Sequence, residues 1–134
     1  MHAETTGLID QFVDTDEEAI DAIKTFLSYM PTHCNEAPPV HTVAAGSGAA
    51  AASVGDLVPD RRSKVYDMRK VIRAVVDTDS YFELKPRFGR TAVTALTRID
   101  GKSVGFIANN PLFKAGAMDA QACDKIISFI VLCD

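Results

Sequence analysis

The sequence predicts an α/β fold, on three observations. A capping box near residue 15 opens a segment with helical apolar spacing. An Asp-Gly pair at residues 100–101 separates two segments that read as strands. A capped, strongly apolar segment at 120–132 reads as a helix. The 134 residues suffice for one ordinary domain, and 47% apolar residues can build a core. No window is long and apolar enough to span a bilayer, and the chain does not open on a basic segment followed by an apolar one.

The elements follow in order. Met1 to Asp14 is a short lead-in, with Gly7 to Val13 a short strand or extended piece. In Thr15-Asp16-Glu17-Glu18 the threonine can accept from the backbone while Glu18 reaches back, and three acids suit the positive end of a helix dipole. Ile20, Ile23, Leu27 and Met30 then recur at helical spacing, predicting a helix from Asp16 to Tyr29 that stops at Pro31. Residues 32–58 differ in kind. Pro38, Pro39 and the alanine-glycine run from Ala44 to Ala52 read as a linker, in which the glycines oppose a helical turn. Asp67 caps a helix whose stripe is Met68, Val71, Ile72 and Val75. Ser80 to Leu84 reads as extended, Thr91 to Ile99 and Ser103 to Ala108 as strands, and Asp119 as the cap of the helix Ala120 to Leu132. This last helix is apolar on nearly every side and requires cover on nearly every side.

Charge is unevenly distributed. Residues 1–60 hold one base against ten acids, and residues 61–134 hold thirteen bases against eight acids. The basic density peaks at Arg61, Arg62, Lys64, Arg69, Lys70, Arg73, Lys85, Arg87 and Arg90. That is either a solvated face or acid-paired surface, or else a field that draws an anionic ligand such as a phosphorylated cofactor. The formal net charge of −4 argues against nucleic acid. Three cysteines, Cys34, Cys123 and Cys133, have no paired spacing and read as reduced thiols, the last two as core residues.

Several chemistries have no motif here. There is no phosphate-binding loop of the Walker type, no dinucleotide fingerprint, no nucleophile elbow and no metal-ligand pair at helical spacing. His2, His33 and His41 lie in the lead-in and linker, and His33-Cys34 has no partner ligands nearby. Asp77, Asp79 and Glu83 could serve general acid–base chemistry if one were buried. The competing reading is a turn in which Phe82 is buried and Glu83 pairs with an arginine. The loop Ala108-Asn109-Asn110-Pro111 is the better candidate, because a strand end followed by a loop and a helix leaves backbone amides free to face a ligand. Gly116 and Ala117 permit close approach. The bland alternative has Asn109 and Asn110 satisfying the turn and Pro111 fixing the bend.

Taken together, the residues resemble a known family. Val58-Pro59-Asp60, Tyr66-Asp67-Met68-Arg69, Phe82-Glu83, Arg98-Ile99-Asp100-Gly101, Ile107-Ala108-Asn109-Asn110-Pro111, Gly116, Asp119, Lys125, Phe129 and Cys133-Asp134 resemble the C-terminal lobe of biotin-dependent acyl-CoA carboxylase carboxyltransferase subunits, of the propionyl-CoA carboxylase beta-chain type. Thr6 to Asp10, Asp16 to Ala19 and Phe26 to Pro31 resemble the end of the same family's N-terminal lobe. The resemblance implies a crotonase-like (ClpP/crotonase) ββα spiral, partial here. Residues 1–31 would end the N-terminal lobe, 32–58 would link, and 59–134 would open the C-terminal lobe.

It further implies transfer of a carboxyl group from carboxybiotin to the α carbon of a short acyl-CoA, propionyl-CoA favoured, with backbone amides stabilising the developing oxyanions and no metal for this half-reaction. Biotin would ride on a biotin carboxylase or biotin carrier partner, and acyl-CoA would be the substrate. The assembly would be a homo-oligomer, a hexamer in the family, located in the cytoplasm or the mitochondrial matrix, with neither nucleic acid nor membrane as partner. The family's glycine-rich thioester amides and its Gly-Ala biotin amides do not occur in this sequence. The chain is therefore expected to be a middle slice, inactive alone, with the helix 120–132 left uncovered. Its site residues would be Ala108, Asn109, Asn110, Pro111 and Gly116, facing biotin. Two other readings are a non-catalytic assembly module of the same derivation and a single-lobe crotonase-type acyl-CoA enzyme.

Overall fold

A computed structural model describes residues 1–61 and 64–134; Arg62 of the basic cluster lies outside the described residues. Thr15 closes the expected capping box. Its hydroxyl accepts from Glu18 N at 3.2 Å, the Glu18 carboxylate accepts from Thr15 N at 3.3 Å, and α1 runs Asp16–Leu27. The helix ends two residues before the expected Tyr29. The turn at Ser28 to Met30 tightens there to i→i+3 bonds, which frees Tyr29 to enter the core. The lead-in forms no strand; it opens with hydrogen-bonded turns over residues 2–5 and then runs irregularly, with Lys85 N donating to Asp10 O at 2.9 Å.

The linker stretch ends in helical turns despite its glycines. Ala49–Ser53 is a 3₁₀ turn and α2 is Val54–Leu57. Both lie against α3, Met68–Val75, which Asp67 caps through Arg69 N at 3.0 Å. Three strands follow, β1 (Phe82–Leu84), β2 (Ala92–Ile99) and β3 (Lys102–Asn109), in one antiparallel sheet of order β1-β2-β3. Asp100 and Gly101 make the hairpin turn with φ of 53° and 75°, the two positive values that a two-residue primed turn demands. Asp77 fastens it, its carboxylate accepting from Asp100 N at 3.2 Å and Gly101 N at 2.7 Å. Gly101 is also required for space, since a Cβ there would collide with His41 O.

The central strand is buried on both faces. Val93 and Ala95 pack with Ile72 and Val76 from the α3 side. On the other face Leu96 packs with Leu84, Tyr29 and Phe129, the last from α4, Ala120–Cys133. Residues from the end of α1 thus complete a core built mainly by the second half of the chain. Arg98 locks the junction, its guanidinium donating to Ser28 O at 3.0 Å and lying 4.1 Å over the Tyr29 ring.

Helix α4 departs from expectation in two ways. It does have a surface beneath it, because Ala122, Lys125 and Phe129 are buried at helical spacing against the sheet. Its opposite face, with Ile127, Ile130 and Val131, is exposed. Cys123 and Cys133, expected in the core, are exposed residues, as is Cys34. Cys123 follows the buried Ala122 and so faces away. The Cys133 thiol lies near Gly105, where burial pushes it up from its ordinary value. No helix is long and apolar enough to cross a membrane, and no metal-binding cluster occurs, among the described residues.

Candidate functional site

The end of β3 builds the candidate site. Ala108 pairs with Val93 and Asn109 with Ala92, so the strand delivers Asn110 to the edge of the core. Asn110 is fully buried and acts as a knot. Its N–H donates to Thr91 O at 2.8 Å, and its carbonyl accepts from Phe113 N at 3.1 Å. Its side-chain oxygen accepts from Leu112 N at 3.3 Å and from Met68 N, at the start of α3, at 3.4 Å. Only its side-chain nitrogen has no acceptor among the described residues.

Asn109 reaches forward instead. Its Nδ2 donates to Gly116 O at 3.1 Å, and Gly116 sits in contact range of both Asn109 and Pro111. The structure therefore brings Asn109, Pro111 and Gly116 together around one turn, with Asn110 holding that turn to β2 and α3. Ala108 lies apart, in the β3 ladder, with the apolar residues on the α3 side.

One expectation is corrected. The amides of Asn110, Leu112, Phe113, Gly116 and Ala117 are engaged within the chain, so most of this loop's N–H groups do not face a ligand. The amides without an acceptor among the described residues belong to Lys114 and Ala115. Both residues have left-handed backbone, φ 47° and 53°, followed by Gly116 at 76°. For non-glycine residues that conformation costs about 1–2 kcal/mol each, and it persists where the surroundings over-determine it. Here the Asn110 knot and the Asn109–Gly116 bond clamp both ends of the turn. The result is two adjacent unpaired N–H groups on a braced, exposed turn, a donor set suited to an oxygen carrying negative charge. No residue in Lys114-Ala115 signals this conformation in sequence.

Of the three carboxylates, Glu83 and Asp77 prove to be structural and Asp79 is exposed. Glu83, 9% exposed, accepts from Arg69 Nε at 2.7 Å, Arg69 Nη2 at 2.9 Å and the Tyr81 hydroxyl at 2.9 Å. The hydrogen bond to Glu83 raises the Arg69 pKa further above its ordinary value, and burial, seconded by Glu83, pushes Tyr81 up. Asp77 serves the hairpin. Acid–base catalysis by this cluster is replaced by the alternative in which Glu83 pairs with an arginine, while Phe82 is partly buried.

The basic cluster likewise does not form one field. Arg69 pairs with Glu83 and Asp67, Lys85 with Asp10, and Arg73 lies 4.2 Å over the Tyr81 ring. Lys125 was not singled out as chemically distinct by its sequence, yet it is 1% exposed and donates to Ala92 O at 2.9 Å. Burial pushes its pKa down to about 8, opposed by the charge on Glu83. It borders an apolar crevice of about 490 Å³ between α1 and α4, walled by Phe26, Phe82, Leu84 and Phe129.

Comparison with known proteins covers the whole chain. The family model described as carboxyl transferase domain matches residues 1–134. The chain is 36% identical over 133 residues to the propionyl-CoA carboxylase carboxyltransferase subunit of Haloferax mediterranei, covering 99% of this chain and 26% of that one. It is 33% identical over 133 residues to the methylmalonyl-CoA decarboxylase subunit alpha of Veillonella parvula, with 99% and 26% covered. Among solved structures, transcarboxylase 12S as a hexamer with hydrolysed methylmalonyl-CoA bound superposes with a TM-score of 0.91 at 32% identity, covering 98% of this chain and 26% of that one. The chain thus spans about a quarter of the length of the curated relatives it matches. The likeness bears out the crotonase-like α/β fold expected from the sequence.

Proposed function

The chain belongs to the carboxyl transferase domain family, and from that premise we propose that it supplies part of a site that moves a carboxyl group from carboxybiotin to the α carbon of a short acyl-CoA, propionyl-CoA favoured. The observation that carries this reading is the braced turn after β3, whose Lys114 and Ala115 amides have no acceptor among the described residues. Carboxybiotin, carried on a biotin carboxylase or carrier partner, supplies the carboxyl group. Its urea oxygen is a neutral acceptor that gains negative charge as that group leaves, and two fixed amides fit such an oxygen. Asn109 holds Gly116 and so orients the pair. Asn110, Ala108 and Pro111 anchor the turn to the sheet rather than touch the substrate. The protein acts as a homo-oligomer of the hexameric kind, in the cytoplasm or the mitochondrial matrix.

The test is carboxyl transfer between carboxybiotin and propionyl-CoA by the assembled protein carrying Gly116→Val. A β-branched residue at φ 76° forces the turn to reorganise and misplaces both amides. Removing one oxyanion donor costs about 10²–10³ in kcat, which sets the expected loss. Unchanged kcat in a variant with intact fold would refute the assignment. A second reading, as an assembly module, draws on the exposed Ile127, Ile130 and Val131 face of α4. It predicts no transfer by wild type while association persists.

A further inference from the structure

Of the arginines that stand outside the ion pairs, two sit side by side on one loop. Arg87 and Arg90 flank the buried Phe88 and Gly89, are themselves exposed, and have no carboxylate within salt-bridge distance among the described residues. Neither side chain donates a hydrogen bond there. Each is nonetheless held in place through its flat face. The Arg87 guanidinium lies 4.4 Å over the Phe12 ring and that of Arg90 3.9 Å over Phe113. A stacked guanidinium keeps its in-plane N–H fork free, and that fork matches two oxygens of a phosphate.

The backbone beneath them is fixed as well. Gly89, at φ 51°, approaches the α4 entrance so closely that a Cβ would lie 2.7 Å from Gln121 O, and Phe88 is pressed against Gly7. Both arginines open into one crevice of about 620 Å³ between the 86–91 loop and the segment from 113 to 121. Its rim also carries Lys114, paired with Asp119 at 2.8 Å, and Glu4. Lys114 and Asp119 offset each other, leaving two free cations against one peripheral acid.

We propose that this crevice is a phosphate-binding site, with Arg87 and Arg90 as its two bidentate donors. The site adjoins the carboxyl-transfer turn, with Phe113 and Lys114 on its wall, and uses neither the Lys114 nor the Ala115 amide. A phosphate could come from the inorganic pool or from a phosphorylated cofactor, and the two sources separate by experiment. Inorganic pyrophosphate titrated into the full chain should bind saturably and shift the Nε–H resonances of Arg87 and Arg90. Arg87→Gln with Arg90→Gln should weaken it at least about tenfold, with Lys at both positions weakening it less.

Coenzyme A that competes with pyrophosphate and binds at least about fivefold tighter than dephospho-coenzyme A assigns the site to the cofactor's phosphate. Equal binding of the two, each displacing pyrophosphate, assigns it to the diphosphate bridge they share, and failure of both to displace pyrophosphate assigns it to free phosphate. The absence of saturable pyrophosphate binding below about 10 mM overturns the proposal, as does an unchanged affinity in the glutamine pair. Should that pair fail to fold, the arginine resonances of wild type decide alone: their failure to move refutes the site.

Discussion

Glu83→Ala lowers the stability of the fold by about 3–5 kcal/mol, the range found when one member of a buried ion pair is removed. The reason is geometric. Arg69 and Glu83 side chains are 15% and 9% exposed, and Glu83 supplies acceptors for both Arg69 nitrogens and the Tyr81 hydroxyl. Deleting the carboxylate leaves a guanidinium and a hydroxyl without that acceptor, where water can only partly replace it. The pair itself contributes less than this figure suggests, because its attraction is set against the desolvation of both charges. The variant Arg69→Met with Glu83→Met should therefore recover much of this loss, though the Tyr81 hydroxyl still lacks its acceptor. Urea unfolding of Arg69→Met, Glu83→Met and the double variant gives the coupling directly. If the single losses simply add in the double variant, the pair is not the unit described here.

The second large effect is set by pH. Lys125 sits nearly inaccessible at the β2–α4 interface, and burial lowers its pKa from 10.5 to about 8. The folded protein therefore releases this proton near pH 8, whereas the unfolded chain keeps it to about 10.5. Between those values the unfolded state binds more protons, so stability rises with pH. The gain is fully present above the unfolded value and is lost as pH falls through the folded one. Relative to Lys125→Met, which does not titrate, wild type should gain about 3 kcal/mol from pH 8 to pH 10.5. Comparing the two proteins cancels the opposite trend expected from Tyr29 and Tyr81, whose raised values destabilise the fold above pH 10. Parallel pH profiles for wild type and Lys125→Met would mean that the lysine titrates normally in the folded state.

Local chemistry made much of this fold legible. The capping box at Thr15, the caps at Asp67 and Asp119, and the Asp100-Gly101 turn each require particular residue types at fixed spacing, and each stands where its residues place it. Lys125 could have been found by the same reasoning. It falls between Ala122 and Phe129 on the stripe that packs against the sheet, and a charged residue on that stripe is forced to find an acceptor.

Other features were not legible because distant contacts decide them. The left-handed Lys114 and Ala115 follow from how Asn109 and Asn110 brace the turn, and nothing in a lysine and an alanine favours positive φ. The alanine-glycine stretch becomes helical where α3 supplies a surface. The basic cluster looked uniform in sequence, but Arg69 and Lys85 are ion-paired and Arg73 lies over the Tyr81 ring. Arg87 and Arg90 differ only through the aromatic rings beneath them.

The central claim is that the turn after β3 presents two amides to an incoming urea oxygen. Amide-resolved NMR of the chain during titration with biotin tests it most directly. The account predicts that the Lys114 and Ala115 N–H resonances move furthest and saturate together, while the engaged amides of Asn110 and Gly116 move little. Saturable binding that leaves Lys114 and Ala115 unshifted, and moves residues elsewhere in the chain, would contradict it.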